Sequence, residues 1–178
     1  MRLPILFALL VVLPCVAAPG DGRFSGAWVA WICPAGTQYD PLTCANLVLQ
    51  LHQKQDRLCG AHVFATAGAR QLDEGAAPSL IGNVAEGTAI VSVESGRAAP
   101  PVKVQVELKN ARGGLQWRRL DNPDGDYLLP LTAQLTKSKH GSLLHPVFAQ
   151  KLEASCAAIL NQAPEPAAPR QNAQPESR

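Results

Sequence analysis

The chemistry open to this chain is carried by four cysteines, four histidines, a short acidic run and three tryptophans. Cys33, Cys44, Cys59 and Cys156 form an even set once Cys15, inside the leading apolar segment, is set aside. Zinc ligands usually come as close cysteine pairs. No Cys-x-x-Cys occurs here, so two disulfides are expected rather than a metal site. Three connectivities are open. Cys33 and Cys44 flank Pro34 to Pro41, a stretch of turn formers. Bridging them is the least costly closure and leaves Cys59 for Cys156.

Histidine can act as a base or a ligand. A three-residue turn at 54–56 would pair Leu51 with Cys59, Leu49 with Ala61 and Leu47 with Val63. That register points His52 and His62 outward and keeps them apart, so both are expected to be solvated strand residues. His140 and His145 flank the start of an expected helix. Asp121, Asp124 and Asp126 are the one candidate calcium cluster. An EF-hand loop needs an oxygen side chain where Pro123 stands and a Glu where Thr132 stands, so the run reads as a hairpin turn. There is no Gly-x-Ser-x-Gly elbow and no phosphate-binding glycine loop. Oxidised cysteines cannot act as thiolate nucleophiles. Asp73, Glu74, Glu86 and Glu94 remain as carboxylates that could meet in space. The expectation is a non-enzymatic chain with no cofactor and no metal.

Two groups point to binding. Trp28 and Trp31 are three residues apart, so a regular strand turns them to opposite faces. One is then internal and the other external or at a rim. An external Trp31 beside the Cys33–Cys44 loop would mark a contact surface, with packing under the helix as the alternative. Trp117 is a further candidate for lining a cavity. Ser95, Gly96 and Arg97 open a loop that ends in two prolines, Pro100 and Pro101. A stiff loop tipped with a cation suits docking into a protein cleft.

The elements that must position these residues are mostly strands. Alternating or β-rich stretches run over 24–33, 44–53, 57–66, 79–85, 88–95, 101–110, 114–120 and 127–137, divided by polar turns such as Glu86-Gly87 and Arg112-Gly113. The stretch 101–110 alternates cleanly, with Val102, Val104, Val106 and Leu108 on one face. About eight strands at this spacing imply an antiparallel up-and-down meander, which protects its edges by closing into a barrel. The period then changes. Leu144, Phe148, Leu152 and Cys156 recur at helical spacing, and Pro146 suits a first turn, giving one C-terminal amphipathic helix over 145–160. A disulfide from Cys156 would pin that helix to the barrel.

Composition sets the outer limits. With 16 Lys+Arg against 14 Asp+Glu and a net charge of +2, the chain lacks the basic stripe of a nucleic-acid protein. A 47% hydrophobic fraction is enough for a core. Residues 1–17 read as a signal peptide, with Arg2 before an apolar run that is shorter than the roughly 20 residues of a membrane span. Pro14 stands where a lipoprotein signal needs a small residue before Cys15. The mature chain is therefore expected in the periplasm or secreted, with a disulfide-bonded domain over 24–160 and a disordered Pro-rich tail at 161–178.

Gly26-Ala27-Trp28 opens the first strand, and this Gly-x-Trp resembles the lipocalin and avidin group of small up-and-down barrels. The stretch from Leu49 to Gly82 shares a rhythm with small secreted bacterial barrels. The resemblance implies a Trp28 packed across the closed end of the barrel. The Ser95-Gly96 start is also similar to the inserted loop of some periplasmic lysozyme inhibitors, although the Tyr that follows there is absent.

Two functions are carried forward. One is an exported non-enzymatic binding module for a small apolar ligand, or a periplasmic scaffold. The other is a protein inhibitor or immunity-type protein that blocks a secreted hydrolase. Small residues on the expected inner face, Gly60, Ala61 and Ala65, would leave room for a ligand. A carrier needs an open interior, whereas an inhibitor needs an exposed loop.

Overall fold

A computed structural model describes residues 22–162. The expected leader at 1–17 lies outside them, as does most of the tail. Among the described residues nine strands form: β1 Gly26–Ile32, β2 Ala45–Lys54, β3 Arg57–Ala65, β4 Leu72–Glu74, β5 Leu80–Ala85, β6 Thr88–Ser95, β7 Val102–Ala111, β8 Gly114–Arg119 and β9 Thr132–Lys137. One helix follows, α1 Pro146–Leu160. All strand pairings are antiparallel. Eight strands close on themselves, because β1 pairs with both β2 and β9. The short β4 is the extra strand; it pairs with the end of β3, while β5 pairs with its beginning. The expected barrel with a C-terminal helix is what the chain forms.

The turns sort the barrel into two ends. Tight turns at Gln55-Asp56, Glu86-Gly87 and Arg112-Gly113 make one end. The other carries the long connections 33–44, 66–79, 96–101 and 120–131. Trp28 packs at the turn end at 4% exposure, its indole N–H donating to Phe24 O at 2.7 Å. The Lys137 ammonium lies 5.5 Å from its ring centre.

Alternation puts one face of each strand inside. Leu47, Leu49 and Leu51 of β2 meet Val91 and Val93 of β6, Val104, Val106 and Leu108 of β7, and Leu115 and Trp117 of β8 in one cluster. Every one of these side chains is at most 1% exposed, so the interior is packed rather than hollow. Leu129, at 2% exposure, enters the same cluster from the 120–131 connection and stoppers the loop end.

Three expectations change. The β2–β3 turn holds two residues, because Lys54 pairs with Arg57, and Gln55 takes φ +54. Leu51 therefore faces Gly60, Leu49 faces His62 and Leu47 faces Phe64. The one-residue slip reverses β3: His62 turns inward, while Cys59 and Ala61 turn outward to meet Leu152 and Cys156 of α1. Second, 122–125 is not a hairpin turn. The strand expected from 127 begins at Thr132, because 120–131 crosses the barrel mouth and Pro130 has no N–H for a ladder. Third, β4 carries no strand pattern of its own and was not expected.

Both disulfides form as anticipated, Cys33–Cys44 and Cys59–Cys156. The second closes a sequence separation of 97, a loop for which chain entropy gives about 4–5 kcal/mol of stabilisation. It ties α1 across β2 and β3. His52 lies beneath this helix, where burial lowers its pKa and nearby Glu153 pulls the other way. It is not the solvated histidine expected.

Candidate functional site

The outward side of β1 at the loop end carries Trp31, 44% exposed on the opposite face from Trp28. Its ring meets Tyr39 edge-on, with centroids 4.8 Å apart and planes at 71°. Tyr39 belongs to the disulfide loop and is 60% exposed, and Leu42 of the same loop is 70% exposed. These three apolar groups are held rather than loose. Cys44 is 1% exposed and bridged to Cys33. Asp40 accepts from the N–H groups of Leu42 through its side chain and of Thr43 and Cys44 through its carbonyl. Gly68 N–H donates to Pro41 O and fastens the loop to the β3–β4 connection. Exposed apolar area has thus been prepositioned, which lowers the entropy lost on binding.

Trp31 stands between two hollows. Under Leu42 lies one of about 350 Å³ bounded by Asn46, Ala65 and Ala69. On the other side is a cleft of about 550 Å³ between the end of β1 and β8–β9. Its walls are Trp31 and Cys33 against Gln116, Thr132 and Gln134, and Trp117 and Ala133 lie at its floor. Arg118 donates to Glu107 Oε1 at 3.1 Å along one lip. Trp117 is 1% exposed, its indole N–H bonded to Pro130 O at 2.9 Å, so it is chiefly a core residue that reaches the cleft.

The Ser95-Gly96-Arg97 loop is not the free cationic tip that its sequence suggested. Ser95 is fully buried, and its Oγ donates to Asp73 Oδ1 at 2.6 Å. A Cβ on Gly96 would lie 2.7 Å from Glu74 O, and Gly96 N–H donates to that oxygen. Arg97 turns back on the molecule, donating to Leu72 O at 2.9 Å and pairing with Asp126 at 3.0 Å. The charge is tied down at the surface, where it fastens the 120–131 strap.

Below that strap lies a polar network the sequence reading missed. His62 Nδ1 is 2.9 Å from Ser79 Oγ, and His62 Nε2 is 3.6 Å from Asp73 Oδ1. Asp73 Oδ2 accepts from Leu128 N–H at 2.7 Å. Burial pushes the Asp73 pKa up, but the His62 imidazole beside it and the hydrogen bonds from Leu128 N–H and Ser95 Oγ outweigh that and hold the carboxyl below its usual value. A serine, an imidazole and a carboxylate in line suggest nucleophilic chemistry. Here all three are at most 3% exposed. Ser79 Oγ also accepts from His62 N–H at 3.1 Å. The arrangement braces β3, β4, β6 and the strap against one another. Its only sequence signal was His62 itself, which a two-residue turn would have placed among leucines.

Among the described residues, no three His, Cys, Asp or Glu side chains are placed to hold a metal ion. Asp121 accepts from Gln105 N–H and Asp126 pairs with Arg97, so the acidic run is dispersed. Also among the described residues, no helix is long and apolar enough to cross a membrane. Comparison with protein-family models, curated proteins and solved structures finds no match for this chain.

Proposed function

We propose that this protein is an exported, non-enzymatic recognition module that binds a secreted or periplasmic protein at its loop end, around Trp31. One observation carries the reading. The barrel interior is filled by its own side chains, while Trp31, Tyr39 and Leu42 stay 44–70% exposed on a loop braced by Cys33–Cys44. Leu131 and Leu72 extend the apolar rim at the same end, at 63% and 50% exposure. Apolar groups clustered in this way are typical of surfaces that another protein covers. A filled interior weighs against a small ligand carried inside the barrel. Two disulfides are consistent with an oxidising compartment. The inhibitor alternative keeps its support in a rigid exposed loop, now 33–44 rather than 95–101.

Photo-crosslinking tests the reading. A benzophenone side chain is placed at position 31 or 42, and at position 90 on the outer wall as a control, in the exporting cell. The expected result is a discrete protein adduct from 31 and 42 that is absent from 90. Equal labelling from all three positions, or none from the rim, would overturn the proposal.

A further inference from the structure

The partner's form can be read from the seam beside Trp31; this step rests on the recognition reading above. The β1–β9 ladder holds only at Trp28↔Lys137 and Val29↔Thr136, with Ser138 N–H donating to Ala27 O at 2.8 Å. Mutually bonded pairs recur at every second position of an antiparallel ladder. The bond at Ala27 therefore directs the main-chain groups of Trp31 and Cys33 toward the seam from one side. Those of Gln134 and Thr132 point into it from the other. Continuing the register would join Trp31 to Gln134 and Cys33 to Thr132, and neither pair forms. Where the ladder stops, residues of both walls, Trp31 and Cys33 with Thr132 and Gln134, line the cleft of about 550 Å³. Two facing strand edges with aligned, unladdered amides fit one kind of occupant, another strand.

Side chains refine the choice. Trp117 and Ala133 at the floor call for small apolar residues pointing inward. Trp31 calls for an apolar or aromatic residue pointing outward. On the neighbouring wall Arg118 is paired with Glu107, and the exposed Lys109 opposite Gln116 leaves a net positive charge that complements an acidic residue on the occupant.

We propose that an extended segment of a partner protein, alternating apolar residues with an acidic one, adds as a strand between β1 and β9. It bonds Thr132 and Gln134 on one side and Trp31 on the other. The binding energy is then largely main-chain, with specificity from alternate side chains.

The test selects linear dodecapeptides from a random display library on the disulfide-bonded protein. Synthetic copies of the winners should slow hydrogen exchange at the Trp31, Thr132 and Gln134 amides. N-methylation at alternate peptide amides should weaken binding at least tenfold. Gln134→Pro, which removes a seam-facing N–H and no bond to β8, should do the same, while Ile90→Ala on the outer wall stays within about twofold. If Gln134→Pro does not fold, the N-methyl series decides. Binders that tolerate N-methylation and protect no seam amide overturn strand addition. If these binders still fail on Trp31→Ala, the rim remains the recognition surface and only the strand mode falls. Binders that protect Ile81 and Ile90 on the outer wall overturn both readings. Failure to select any binder overturns strand addition, and the crosslinking above then decides the rim.

Discussion

Replacing Asp73 with Asn should be the most informative single change in the fold. Asp73 is fully buried and accepts two short hydrogen bonds, from Ser95 Oγ at 2.6 Å and Leu128 N–H at 2.7 Å, with His62 Nε2 at 3.6 Å. Asn keeps one oxygen and presents an NH₂ where the other stood. If the oxygen serves Ser95, the new donor faces the Leu128 N–H; if it serves Leu128, His62 and Ser95 lose their acceptor. Hydrogen bonds to a charged group contribute about 1.5–3 kcal/mol each. A loss of about 3 kcal/mol is therefore expected in urea unfolding at pH 7. The pH dependence carries a sign. The Asp73 carboxyl is held below its ordinary value, because the nearby His62 imidazole and the Leu128 and Ser95 hydrogen bonds outweigh burial. Its stabilisation is then fully present above the unfolded aspartate pKa of about 4 and is lost as pH falls through the folded value. The gap between wild type and Asp73→Asn should be constant from about pH 5 to 7 and narrow below about pH 4. A variant within about 1 kcal/mol of wild type at pH 7, or a gap that widens in acid, would refute the network as the brace of the strap.

Cys59→Ser with Cys156→Ser removes the long-range bridge and should cost about 2–5 kcal/mol in reversible denaturation, with increased exchange first in α1. Gly60→Ala puts a Cβ 2.4 Å from Gln50 O and 2.7 Å from Leu51 Cδ2, so β2 and β3 must part; about 1–3 kcal/mol should be lost, read as a lower urea midpoint. Trp31→Ala removes a side chain already 44% exposed and should change stability by no more than about 1 kcal/mol in the same assay, while abolishing crosslinks from position 42.

The sequence declared the barrel because most strands alternate and most turns carry their own marks. Gly87 and Gly113 take positive φ where Glu86-Gly87 and Arg112-Gly113 were expected to turn. The β2–β3 turn hid its register because Gln55 takes φ +54 without the glycine or asparagine that usually announces it. That single position decided the face of His62, and with it the buried network. Ser95 and Arg97 looked like a docking tip because the sequence does not say that a distant Asp126 and Leu72 O will claim the guanidinium. The opposition of Trp28 and Trp31 followed from strand parity alone. The seam beside Trp31 did not, since where the β1–β9 ladder stops depends on the path of the 120–131 strap, which also displaced the expected start of β9.

Native mass spectrometry of protein released gently from the cells that make it, wild type beside Trp31→Ser, tests most directly whether recognition lies on the rim or inside the barrel. Recognition on the rim should give a wild-type spectrum with a protein-sized adduct, lost in Trp31→Ser, on a chain carrying both disulfides and no small-molecule mass. An adduct of a few hundred daltons, kept in Trp31→Ser and shed on unfolding, would place the ligand in the interior and contradict it.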